Sequence, residues 1–328
     1  REMFGPDVGP SPLHTPPVSY GHINGLGAGL VFPDGGEVSH THVADSLQEG
    51  VRLVQRKVDF GTAGMAPFYL DYRRRLSAAF GGQPCALSYK EEGPITTAYT
   101  LRGDAVFSDP YDEPGLFKEF LRLGTDSIVD FCRFTSRLNG EPAIDPAGGG
   151  LCDDLAAMFG PDLWPEFVVP YWEQYYRGIT TGPRSVHVED LRPDHLPLLE
   201  AVSMARYDPG ISAHLSPPMI RDRCRVIFGW RLGSFHYPTL SEADIRDWVF
   251  QAAADGAGRV FTTVEGVMCN PPTVRKVQAF VRAAKEVEQM LKSGVSRTDV
   301  GRQVSEAGRR RFWSGWPDQK LPGTGAAK

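Results

Sequence analysis

RSVHVEDLRPDHLPLLEAVSMARYD, residues 184–208, carries the pattern that decides the fold. Residues 184–188 read as a buried strand centred on Val186 and Val188. Pro193 opens a helix through Ala201, because proline suits a first helical turn. Residues 205–208 are the end of the next strand. The same alternation runs outward in both directions. Downstream, 217–223 reads as a short helix, 226–230 as a strand, 242–254 as a helix, 260–264 as a strand and 273–291 as a long helix. Upstream, 149–156 is a strand with its loop and 161–178 a helix. Residues 86–89 and 93–99 read as strands, the second on its β-branched residues. Helices are expected at 45–54, 69–80, 114–122 and, capped by Thr125-Asp126, through Leu138. Strand and helix alternating at this pitch mean parallel βαβ units. Right-handed crossovers then leave two architectures, a closed barrel or an open doubly wound sheet. No G-x-G-x-x-G follows a first strand, and there is no P-loop.

The 328 residues suffice for a barrel of that type and a large apolar core. Hydrophobic residues make up 41% and charged residues 23%, the balance of a soluble globular chain. A net charge of −5 argues against nucleic acid or an anionic membrane as the main partner. No apolar run approaches the roughly 20 residues of a membrane span, and no secretory signal opens the sequence. The first residue is Arg1 rather than Met, which leaves room for a native N-terminus further upstream. Five cysteines, an odd number with no C-x-x-C pair, point to free thiols and a cytoplasmic setting. Residues 1–44 are rich in Gly and Pro, with His14, His22, His40 and His42, and read as an irregular surface wrap or a lid. The barrel is expected over 45–314 and a flexible tail over 315–328.

In a parallel barrel the catalytic groups come from the C-terminal ends of strands. That rule selects His187 and Glu189 after one strand, Glu265 to Cys269 after another, Cys152-Asp153-Asp154 after a third, and Tyr207-Asp208 after a fourth. His187 and Glu189, two apart, point the same way. With Cys269 they offer nitrogen, oxygen and sulfur, three ligands with a fourth position open, as in a catalytic zinc site. A histidine hydrogen-bonded to a carboxylate and a small buried cysteine would give the same spacing. Of Asp153 and Asp154, neighbours in a strand, at most one faces a pocket; either serves as a proton donor, a substrate anchor or a cap. Asp208-Pro209-Gly210 is also ordinary turn chemistry. Trp230, Arg231 and His236 follow another strand and suit an anionic or planar ligand, or simple packing.

FGPDLWPEFVVPY (159–171) resembles the helix after the aspartate-bearing loop of uroporphyrinogen decarboxylase-like proteins. SVHVED (185–190), followed by LPLLE (196–200) and Tyr207-Asp208, is similar to the next unit, and EGVMCNPPTVRKVQAF (265–280) to the last strand-loop-helix. Residues 93–103 and Thr125-Asp126 fit the earlier part. The resemblance covers about residues 45–290 and implies a (β/α)8 barrel with its site at the mouth. The decarboxylases of this superfamily carry a Gly-His-Gly loop; here Glu265-Gly266 stands there without histidine. The methyltransferase branch carries His-x-Cys and a distant Cys. His187 matches the first ligand and Cys269 the last, about 80 residues beyond Glu189, which replaces the middle cysteine and makes the metal harder. The resemblance therefore implies a zinc-dependent methyltransferase working with a corrinoid, carried on a partner protein. Asp154 and Tyr207 would position the substrate, with Glu265 on the same rim and Asp208, Trp230, Arg231 and His236 as substrate contacts. The alternatives are a cofactor-free decarboxylase, with Asp154 as proton donor and Arg231 or Arg225 holding carboxylates, and a non-catalytic binding barrel.

Overall fold

The computed structural model describes residues 3–5, 8–9 and 12–313, and the expected tail at 315–328 lies outside them. The described residues form two compact units. The N-terminal unit holds residues 12–187 with Ala201–Met204; the C-terminal unit holds Val188–Glu200, the described chain from Ala205 onward and the few described residues before residue 10.

In the N-terminal unit, residues 12–44 contain the short helix α1 (Gly21–Leu26) and an antiparallel ribbon of β1 (Leu30–Val31) and β2 (Ser39–His40). Single parallel bridges join His14 to Ala86 and Val18 to Tyr89. Val18 enters the core with Phe60, Tyr69, Leu87, Tyr89 and Phe131. Helix α2 (Leu47–Val54) starts on a capping box: Ser46 Oγ accepts the Glu49 N–H while the Glu49 carboxylate accepts the Ser46 N–H. Helix α3 (Ala66–Ala79) follows.

Residues 93–99, expected as a strand, instead begin helix α4 (Pro94–Arg102). Strand propensity is a weak force, and two features override it. Pro94 sits in the first turn, where its missing N–H costs nothing. The N–H groups of Ile95 and Thr96, without partners inside the helix, bond the buried carboxylate of Asp153, at 3.3 and 2.7 Å, an anion at a positive helix end. After α5 (Asp109–Asp112), the two helices expected at 114–122 and 125–138 are one, α6 (Pro114–Asn139). Thr125 does not cap; its hydroxyl turns back to the Leu121 carbonyl at 2.7 Å inside the helix. The helix expected at 161–178 is broken into α7 (Trp164–Phe167) and α8 (Val169–Ile179). Pro170 fits the first turn of a new helix and not the interior of an old one. Strand β3 (Gly149–Cys152) precedes α7, and β4 (Arg184–His187) pairs with it in parallel. Helix α6 packs on α2, α4 and α8.

His22, on α1, is fully buried against Phe60 and Phe131, with Nε2 2.9 Å from Ser127 Oγ. Burial pushes its pKa down to about 3. The folded value lies below the unfolded one, so protonation favours the unfolded chain. The stability tied to neutral His22 is complete above pH 6.5 and is lost as the pH falls toward 3. Urea unfolding should weaken across that window by up to about 1.4 kcal/mol per pH unit on account of this group. His22→Gln should flatten the dependence; equal pH slopes in both proteins would rule this out.

The C-terminal unit alternates as its sequence predicts: α9 (Leu196–Ala201), β5 (Met204–Asp208), α10 (Pro217–Arg223), β6 (Ile227–Leu232), α11 (Glu242–Ala254), β7 (Arg259–Thr262) and α12 (Pro271–Lys292), followed by α13 (Arg297–Arg302) and α14 (Glu306–Trp313). Strands β5 and β6 pair in parallel, as do β6 and β7. Helix α11 packs on β7, α12 and α13. Trp230, Tyr237 and Phe250 are fully buried. The chain is thus a mixed α/β protein whose parallel strands are joined through helices. All five cysteines are free. Among the described residues no helix is long and apolar enough to cross a membrane.

Candidate metal centre

Parallel pairing of β3 with β4 sets Cys152 opposite His187, the last residues of both strands. Side chains at matched positions of adjacent strands project to the same face. Asp154 opens the single 3-10 turn after β3 and brings its carboxylate to the same point. One ligand atom each from Cys152, Asp154 and His187 lies within 4.8 Å of the others, and all three residues are half-buried. Asp154 Oδ1 is 3.7 Å from His187 Nε2, and Asp154 Oδ2 is 3.8 Å from Cys152 Sγ.

The turn is held from below by Asp153. Its buried carboxylate accepts the Ile95 and Thr96 N–H groups of α4 and, at 2.7 Å, the indole N–H of Trp172. Burial raises its pKa to about 6 against the pull of these hydrogen bonds. The backbone is stitched as well: Gly93 N–H donates to the Cys152 carbonyl at 2.6 Å, Asp153 N–H to the His187 carbonyl at 3.1 Å, and Leu155 N–H to Thr96 Oγ1 at 3.1 Å. A Cβ on Gly93 would lie 2.5 Å from the Asp153 side chain, so only glycine allows this approach. Asp153 therefore faces inward as a structural anchor while Asp154, the first residue of the 3-10 turn beyond the strand, presents its carboxylate to the cluster.

The surroundings are acidic. Burial pushes the Glu92 carboxyl up to about 8, with the Asp154 and Asp153 charges adding to the rise and hydrogen bonds from Cys152 and Ser19 opposing it. Burial, then the Glu92 and Asp154 charges, push the Cys152 thiol well above its ordinary value. A thiol held back from ionisation beside a carboxylate and an imidazole is one a divalent cation relieves, since the ion stabilises the thiolate. The donor set fits zinc.

The other sequence-selected residues lie in the C-terminal unit. Glu189 accepts from Arg231 at 3.1 Å and from the Ile211 N–H at 3.2 Å. Tyr207 is buried, its hydroxyl donating to the Val188 carbonyl at 3.1 Å. Asp208 accepts the Gly210 N–H at 2.9 Å, closing a turn. Trp230 is enclosed in the core. His236 is buried, its Nδ1 3.1 Å from the Gly233 nitrogen. Glu265 accepts the Ser234 hydroxyl at 2.7 Å, and Cys269 is exposed. Of the expected ligands His187, Glu189 and Cys269, the cluster of the N-terminal unit contains His187, joined there by Asp154 and by Cys152, which sequence reading placed at a strand end without making it a ligand. Glu92 was missed altogether. It stands three residues past the 86–89 stretch that reads as a strand, where the strand-end rule would have selected it.

No family model matches the chain, and no curated protein matches it in sequence. Among solved structures it is similar to a methyltransferase from Methanosarcina mazei, with a TM-score of 0.60 and 15% identity over 88% of this chain and 82% of that one. At that identity the likeness speaks for the fold.

Proposed function

We propose that the chain is a metal-dependent methyltransferase whose zinc is held by Cys152, Asp154 and His187. The observation that carries this is the convergence of those three ligand atoms at paired strand ends, on a fold similar to that of a methyltransferase. The parallel units would belong to a (β/α)8 barrel, as the sequence resemblance implies. The methyl donor would be a corrinoid on a separate protein, in a cytoplasmic setting. Zinc, when bound, supplies Lewis acidity that holds a methyl acceptor such as a thiol in its deprotonated form at neutral pH. The residues of the chain do the rest. Glu92, hydrogen-bonded to Cys152, would orient the ligand thiol toward the centre. Asp153 and the first turn of α4 fix the ligand-bearing turn. Ser19 and Glu92 line a pocket next to Cys152 that admits the acceptor.

The test is methyl transfer from free methylcobalamin to a small thiol, followed by the absorbance of the corrinoid. Turnover should stop on removal of zinc by chelation and return on adding zinc. Turnover of an acidic substrate by decarboxylation, indifferent to chelation, would overturn the proposal.

A further inference from the structure

The N-terminal unit contains a second cavity, of about 640 Å³, between the 54–60 segment that follows α2 and one face of α6. None of the metal-cluster residues lines it. Phe60 and Phe134, in ring contact at 6.2 Å, give it an aromatic floor. Its acidic side chains are answered by the protein itself. Asp59 accepts the Gly61 N–H at 3.0 Å. Asp126 accepts from Gln174 at 2.7 Å and pairs with Arg122 at 3.3 Å, and Asp130 lies 4.0 Å from Arg133. Of the cations on the wall, Arg56 and Arg133 donate to the Leu26 and Gly178 carbonyls. Lys57 and Arg137 have no side-chain partner among the described residues. These four cations against three acids leave the wall net positive.

Ser127 adds a further donor. Burial keeps His22 neutral, so one of its ring nitrogens carries a proton. Nδ1 is enclosed without a partner, and Nε2 is 2.9 Å from Ser127 Oγ. A buried N–H left without an acceptor is rarer than a buried acceptor left without a donor. That assigns the proton to Nε2, donated to Ser127 Oγ. The hydroxyl proton of Ser127, a residue of the cavity wall, is then left for a ligand.

We infer that this cavity binds the phosphate monoester of a small aromatic group, its ring on Phe60 and Phe134 and its phosphate on Lys57, Arg137 and Ser127. Three donor groups answer the three terminal oxygens of the phosphate, and the two cations make those hydrogen bonds charge-assisted. The volume lies in the range of small-ligand pockets. The inference does not rest on the proposed metal centre.

The experiment is calorimetric titration of the whole zinc-depleted chain with phenyl phosphate, phenol and inorganic phosphate. Zinc is removed so that no phosphate is held by the metal. Phenyl phosphate should bind at least about tenfold more tightly than phenol, through the charged contacts, and than inorganic phosphate, through the ring. Lys57→Gln and Arg137→Gln, both at exposed positions, should each weaken phenyl phosphate about threefold or more and leave phenol unchanged. The double variant should bind phenyl phosphate no better than phenol. Phenyl phosphate no tighter than phenol or than inorganic phosphate in the wild type, or a preference that survives the double variant, would overturn the inference.

Discussion

Cys152→Ser and His187→Ala are each expected to empty the metal centre and to slow methyl transfer by about 100-fold or more. A tetrahedral site with three protein ligands has none to spare, and even outer partners of such ligands commonly cost 10- to 100-fold when removed. The two strand ends that present these side chains are joined by backbone pairing, which neither substitution touches. Both variants should therefore keep the circular dichroism and the urea midpoint of the metal-free wild type. Glu92→Gln should act differently. It keeps a hydrogen-bonding partner for Cys152, and burial already holds the Glu92 carboxyl mostly protonated at neutral pH, so the zinc content should stay close to one per chain. Full activity in Cys152→Ser would remove Cys152 from the site.

The largest effect on stability is expected from Asp153→Ala. It strips the acceptor from three buried donors at once, the N–H groups of Ile95 and Thr96 and the indole of Trp172. Leaving such groups unsatisfied should cost about 3–5 kcal/mol in urea unfolding. Gly93→Ala attacks the same contact from the other side, by forcing a methyl group to within 2.5 Å of the Asp153 side chain. Overpacking of that kind should cost about 1–3 kcal/mol. The two losses should not add, because both break one contact. A loss below about 1 kcal/mol for Asp153→Ala would show that α4 does not need this anion.

The alternation of strands and helices was legible because each element carries its own signal. Helices α10 and α11 begin where Pro217 and the Ser241 cap put them. The errors fall where a distant partner decides. Residues 93–99 become helical because Asp153, some 60 residues later, binds the helix end. Thr125 fails to cap because α6 packs on α2, α4 and α8 and buries Gly124 and Thr125 with residues on either side of them, which holds the chain helical through Gly124. The site was half legible for the same reason. The rule of strand ends selected His187, Cys152 and Asp154, but which of the strand ends face one another is set by pairing. Residue spacing alone favoured Glu189, two positions from His187. In the structure Glu189 is engaged by Arg231 and Ile211. Cys152 is brought to His187 by register, a relation between residues 35 apart in sequence.

The most direct test is the zinc content of the purified chain by mass spectrometry, for wild type, Cys152→Ser, His187→Ala and Cys269→Ser. A centre built from Cys152, Asp154 and His187 predicts close to one zinc per chain in wild type and Cys269→Ser, and none in the other two. Zinc retained in Cys152→Ser but lost from Cys269→Ser would move the centre to His187, Glu189 and Cys269. No zinc in wild type after reconstitution would contradict the metal centre itself.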